Sequence, residues 1–179
     1  MCGNQCQSWK SALLRDGSQV LLRPIRPEDE PAHAELVKRV QPEDLRFRFL
    51  GGMRKLQHHH LARLTQIDFD REMAFIATRA GLDGKPETLG VVRTATDPDK
   101  CRAELSILVR SDLKGTGLGS TLMDKILRYH QSLGTGEIYA QILAENEAML
   151  RLAKKCGFTL RAGSEPDVVE CTRSLRPDG

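Results

Sequence analysis

The sequence predicts a single α/β or α+β domain, and three observations predict it. The chain has 179 residues, close to one domain's worth and too short for two ordinary ones. Three strand-like runs in the middle, Met73 to Arg79, Leu89 to Thr96 and Arg102 to Arg110, are joined by the short turn sequences Gly81-Leu82-Asp83-Gly84 and Asp97-Pro98-Asp99-Lys100. Links that short favour an antiparallel meander, because parallel neighbours need a long crossover. Beyond residue 110 strand and helix signals alternate.

The elements follow in order. Residues 1–17 read as a polar leader, expected to be flexible, closed by a turn at Asp16-Gly17; residues 18–179 form the single domain. Gln19 to Arg23 is a short strand, ended by Pro24 and Pro27. Pro27-Glu28-Asp29-Glu30 places proline and acids where a helix starts, and the helix runs to about Val40 with Leu36, Val37 and Val40 inward. Pro42 to Leu50 is a second short helix, and Gly51-Gly52 breaks it. Residues 55–66 form another, with Leu56, Leu61 and Leu64 near one face. After the meander, residues 117–133 carry Leu118, Leu122, Ile126, Leu127 and Tyr129 near one stripe, and Gly134 and Gly136 end that helix. Glu137 to Leu143 is a strand, Asn146 to Lys155 a helix stopped by Gly157, and Val168 to Arg173 a last strand.

Composition narrows the function classes. Lys and Arg number 27 against 24 Asp and Glu, a balance of +3 that excludes a strongly basic nucleic-acid binder. Hydrophobic residues at 40% supply a core, and aromatics at only 4% argue against base-stacking platforms. With no long apolar run and no signal-peptide pattern at the start, the expected compartment is the cytoplasm, with no membrane partner. The cysteines Cys2, Cys6, Cys101, Cys156 and Cys171 are odd in number and scattered, which fits reduced thiols better than a disulfide framework. His58-His59-His60 points three ways around a helix, unlike a metal pair four residues apart, so no metal is expected.

The chemistry begins at Lys114-Gly115-Thr116-Gly117-Leu118-Gly119-Ser120, between a strand and a long helix. Glycines let the backbone approach an anion closely, and a helix N-terminus offers unpaired N–H groups. The Walker pattern fails because the lysine precedes the glycines. The dinucleotide fingerprint fits poorly, because the spacing is Gly-x-Gly-x-Gly and it starts several residues past the strand. The pyrophosphate of coenzyme A and an ordinary flexible turn are left.

This segment resembles the Arg/Gln-x-x-Gly-x-Gly/Ala signature of the GNAT acyltransferase superfamily, with Lys114 in the Arg/Gln place. A second family segment, Asn-x-x-Ala-x-x-Leu-Tyr-x-x-x-Gly-Phe, is similar to Asn146 to Phe158, where Asn146, Leu152, Gly157 and Phe158 match and Met149 replaces the alanine. Within the superfamily the chain looks like the acetyltransferase domain of bacterial protein lysine acetyltransferases of the Pat type. Leu22-Arg23-Pro24-Ile25-Arg26-Pro27-Glu28-Asp29, Leu61 to Asp68, Asp70 to Ala74 and Ala103-Glu104-Leu105 carry that likeness. The resemblance implies the GNAT fold, a mixed, mostly antiparallel sheet of about six or seven strands flanked by helices. It also implies acetyl-CoA as co-substrate, and a protein substrate bearing an acceptor lysine, for which acyl-CoA synthetases are typical. Many Pat proteins carry a further module that 179 residues cannot hold, so a stand-alone enzyme or an excised domain is expected.

Acetyl transfer to an amine needs a group to take the ammonium proton and donors to polarise the thioester carbonyl. Glu104 is the candidate base, on the strand that feeds the glycine loop, sharing a face with Ser106 and Leu108. An ordinary solvated strand glutamate is the competing reading. Leu108, Val109, Lys114, Gly115, Thr116, Gly117, Leu118, Gly119, Ser120 and Asn146 are the candidate cofactor residues, with Asn146 equally suited to capping the helix that follows. Carbonyl polarisation falls to amides near Leu108 to Arg110. Ala153 stands where many GNAT enzymes have the tyrosine that reprotonates the departing thiolate. Asp68, Asp70 and Glu72 form either an ordinary charged turn or a docking patch for the acceptor lysine, and Asp112 reads as a cap or turn residue. The leading expectation is acetylation of protein lysines; the alternatives are acetylation of a small amine and a non-catalytic acetyl-CoA-sensing module.

Overall fold

A computed structural model describes residues 9–50 and 58–176. The elements are β1 (Lys10–Leu13), β2 (Gln19–Pro24), α1 (Glu30–Lys38), α2 (Pro42–Arg48), α3 (His58–Thr65), β3 (Glu72–Ala80), β4 (Pro86–Thr96), β5 (Arg102–Val109), α4 (Leu118–Leu133), β6 (Glu137–Leu143), α5 (Glu147–Lys155), β7 (Thr159–Ala162) and β8 (Val168–Ser174). Single 3-10 turns at Pro27–Asp29 and Ser111–Leu113 precede α1 and α4. The strands form one sheet in the order β1-β2-β3-β4-β5-β6-β8-β7. Every neighbouring pair is antiparallel except β5 and β6, which run parallel because α4 carries the chain across.

The expected meander is present, and the mixed, mostly antiparallel sheet is as predicted. The strand count is not: the sheet has eight strands, two of them unforeseen. Within the segment read as a polar leader, Lys10–Leu13 pairs with β2 as an edge strand, and Leu14 behind it is 4% exposed. Its short sequence carries no alternating apolar signal. β7 pairs with the return strand β8, and it too is a short, exposed edge. Cys2, Cys6 and the Gly51-Gly52 break lie outside the described residues, as does the first part of the helix expected over 55–66.

Two apolar layers hold the sheet between helices. One packs Phe75, Leu89, Val92, Leu105, Ile138 and their neighbours against Leu118, Leu122 and Ile126 of α4, with Ala153 of α5. The other packs Ala74, Ile76, Val91 and Leu108 against Leu36 and Val40, at and just after α1. A bulge makes this division possible. Ala77 pairs with Gly90 and Thr78 with Thr88, so Leu89 is the extra residue and joins Val92 on the α4 side. Gly90 is required there, since a Cβ would lie 3.1 Å from the Leu122 side chain and 3.0 Å from the Leu108 carbonyl. The outcome for the site is that Glu104, Ser106 and Leu108 face the α1–α3 side of β5, while Leu105, Ile107 and Val109 face α4.

Candidate active site

The parallel join between β5 and β6 is short. Arg102 pairs with Glu137, Ala103 with Ile138 and Glu104 with Tyr139, and there the register ends although both strands continue. Beyond Glu104 the two strands part, and the gap opens into a cleft of about 310 Å³. Its walls are Leu105–Val109 of β5 and Ala140–Ile142 of β6, with the glycine loop and α5 closing the far end.

Strand alternation fixes which amides face the gap. The Arg110 N–H is spent on the Leu89 carbonyl, 2.9 Å away, so residues of even number on β5 bond towards β4. The N–H groups of Ile107 and Val109 consequently point to the side that β6 has vacated. Leu108 and Arg110 are thereby both removed from the amides expected to polarise a carbonyl, which leaves Val109.

The loop at the far end is built for an anion. Gly115 and Gly117 have φ of 82° and 88°, a left-handed backbone that favours glycine, and a Cβ on Gly115 would meet nothing within 4 Å. Gly117 caps α4, so the first N–H groups of that helix open towards the cleft. Leu108, Val109, Lys114, Gly115, Gly117, Leu118, Gly119, Ser120 and Asn146 all line the cleft. Thr116 does not join that lining; its hydroxyl donates to the Leu113 carbonyl at 2.6 Å and shapes the turn. Asn146 does both things expected of it, lining the cleft and accepting from the Met149 N–H at 3.2 Å as the cap of α5.

The sequence missed the roof. Asp44, Phe47 and Arg48 of α2 line the same cleft. Asp44 pairs with the Lys114 ammonium and accepts from the Ser111 hydroxyl at 2.6 Å. Arg46 makes a two-pronged bond to Glu145, at 3.2 and 3.0 Å, on the β6–α5 loop. α2 is therefore tied to both rims of the gap. Contacts separated by so many residues leave no mark in local periodicity.

Glu104 lies outside the cleft lining, exposed, at the point where the gap begins. Its charge is felt by Arg48 and Tyr139. Burial, then the nearby Arg93, brings the Arg48 guanidinium down to about 10, and Glu104 opposes that fall. Burial, then Glu104, raises the Tyr139 phenol. Ala153 is 1% exposed and packed in the core, so that position supplies no proton donor. Arg110 donates to Asp112 at 2.7 and 2.9 Å and holds its carboxyl below the usual range, the turn role expected of it. Asp68 closes its own turn, accepting from the Asp70 N–H at 3.0 Å, while Asp70 pairs with Lys100 at 3.3 Å in the open. No cluster of potential metal ligands occurs among the described residues. No helix among them is long and apolar enough to cross a membrane.

The family model for the acetyltransferase (GNAT) domain matches residues 19–159. The chain belongs to the GNAT family. It is an acetyltransferase, and GNAT enzymes use acetyl-CoA. It is 32% identical to Acetyltransferase PA5475 of Pseudomonas aeruginosa, over 81% of this chain and 77% of that protein. It is 26% identical to Acetyltransferase Pat of Mycolicibacterium smegmatis, over 80% of this chain but 42% of that longer protein. The GNAT domain of S. lividans PAT superposes with a TM-score of 0.84 at 25% identity, covering 93% of this chain and 96% of that one. The GNAT cleft described above suits acetyl-CoA: an apolar gap between parted strands for the pantetheine arm, and an open glycine turn flanked by cations for phosphate.

Proposed function

We propose that the enzyme transfers the acetyl group of acetyl-CoA to the ε-amino group of lysines on target proteins, by direct attack with Glu104 as general base. The observation that carries this reading is the likeness to the PAT domain over nearly the whole chain, with Glu104 standing where β5 and β6 part. An acyl-CoA synthetase is a suitable protein substrate by the same likeness.

Bound acetyl-CoA supplies an activated acetyl group on a thioester. Glu104, open to solvent, accepts the proton that the acceptor ammonium must lose before its nitrogen attacks the carbonyl carbon. The Ile107 and Val109 amides offer hydrogen bonds along the gap, where negative charge develops on the carbonyl oxygen as the amine adds, before the C=O re-forms and the C–S bond breaks to release the thiolate. With alanine at 153, the departing thiolate takes its proton from another group or from water, or leaves without one. An acyl-cysteine route has no support, because no described cysteine lines the cleft, and burial raises the thiols of Cys156 and Cys171, the latter to about 11.

The test is thiol release from acetyl-CoA with a lysine-bearing protein, an acyl-CoA synthetase included, against free amines, with ε-acetyl-lysine read by mass spectrometry. Acetylated lysine on the protein is the expected result. Turnover only with a small amine overturns the protein-substrate reading, and binding without any turnover overturns the enzymatic one.

A further inference from the structure

Of the cations lining the cleft, Arg15 comes from the place least expected to matter, the turn between β1 and β2 at the end of the supposed leader. That turn is rigidly made. The Leu14 N–H bonds the Ser18 carbonyl at 2.9 Å, the Gly17 N–H returns to Leu14 at 3.0 Å, and the Asp16 carboxylate accepts from the Ser18 N–H and hydroxyl at 3.0 and 2.6 Å. Leu14 is buried in the α4-side core, which holds the next residue at the surface. The Arg15 N–H then bonds the Thr116 carbonyl at 2.9 Å, so the turn is fastened directly to the glycine loop. The side chain runs past Gly117, its Nε 3.6 Å from where a Cβ on that glycine would sit.

Three cations from three separate elements thus surround the glycine loop, and they are not equivalent. Lys114 is engaged by Asp44, which offsets its charge. Lys155 reaches the Ser120 hydroxyl at 3.4 Å. Arg15 is exposed and has no carboxylate partner among the described residues. A planar guanidinium anchored beside unpaired helix N–H groups is well matched to a phosphate group.

We propose that Arg15 is a ligand of the coenzyme A pyrophosphate, so that the β1–β2 turn is part of the cofactor site. This rests on the reading that the cleft holds acetyl-CoA. The position beside Gly117, at the mouth of α4, selects the pyrophosphate over the 3′-phosphate.

Calorimetric titration of the full chain with CoA and with dephospho-CoA, which lacks the 3′-phosphate, tests it. Arg15→Ala is expected to weaken both ligands alike, by about tenfold, the order expected for one charge-assisted hydrogen bond. Arg15→Lys recovers part of the loss, the penalty shrinks as salt is raised, and Arg161→Ala on β7, a control with the same charge change, stays within about twofold. Arg15→Gln repeats the measurement should alanine disturb the turn. A loss no greater than that of Arg161→Ala overturns the proposal, and so does a loss seen with CoA but absent with dephospho-CoA. A wild-type chain that binds neither ligand overturns the acetyl-CoA reading itself, a distinguishable result.

Discussion

Glu104 and Tyr139 face one another on the last rung that joins β5 to β6, and the cofactor cleft opens immediately beyond them. Side chains opposite each other in a parallel pair lie on the same face of the sheet. A carboxylate therefore sits beside a phenol whose proton is retained by burial first and by the Glu104 charge second. The neutral phenol can hold an amine or a water near the base without competing for its proton.

Glu104→Gln removes the base while keeping the shape of the strand. Turnover is expected to fall by about two to four orders of magnitude, the usual range for positioned acid–base catalysis. The affinity for CoA should stay unchanged, because Glu104 is outside the cleft lining. The residual rate should climb with pH towards the ordinary lysine value of about 10.4, since solvent must then deprotonate the amine. Wild-type turnover in this variant removes Glu104 from the role.

Much of this site could be read from the sequence, and what could not shares one physical cause. The glycine loop, Asn146 and the helix α4 are local: turn residues, a cap and a period near 3.6 occur within a few positions of each other. The roof made by Asp44, Phe47 and Arg48 is a long-range contact between α2 and the β5–α4 loop, 70 residues apart from Asp44 to Lys114. Nothing in the local pattern of Pro42 to Arg48 distinguishes it from an ordinary short amphipathic helix. Arg15 was hidden for a related reason. β1 is a short edge whose only buried anchor, Leu14, comes after the strand ends.

The Asp44–Lys114 pair also makes a prediction about affinity. Asp44 is nearly buried on its side chain, at 12%, against 53% for Lys114, so it is the fixed partner. Asp44→Asn keeps an acceptor for the Ser111 hydroxyl but releases the full lysine charge to the glycine loop. CoA affinity measured at low salt should rise by roughly twofold to fivefold, and the gain should vanish at high salt, as expected for partly exposed charges. A fall in affinity would show instead that Asp44 serves mainly to hold α2 over the cleft.

Two buried histidines should add to the acid sensitivity of the fold. His130 shares hydrogen bonds with the Thr94 and Thr135 hydroxyls, each at 2.8 Å, and burial lowers its pKa to about 4. His33 is 2% exposed, and burial, then Arg93 and Arg48, lowers it likewise to about 4, with Asp29 opposing. Both rings are neutral in the folded chain and take up protons near 6.5 once unfolded. The unfolded state binds more protons between those values, so folding stability rises with pH there. The two contributions are complete above about pH 6.5 and are lost as pH falls towards 4, on the order of 3 kcal/mol each. Melting temperatures followed from pH 7 downwards should decline through that window. His130→Gln, which retains hydrogen-bonding capacity without titrating, should lower the melting temperature at pH 7 yet flatten the decline. An equally steep decline in that variant would assign the acid sensitivity to His33 and the carboxylates, such as Asp29, whose bonds from Arg23 at 2.8 and 2.6 Å must also be given up in acid.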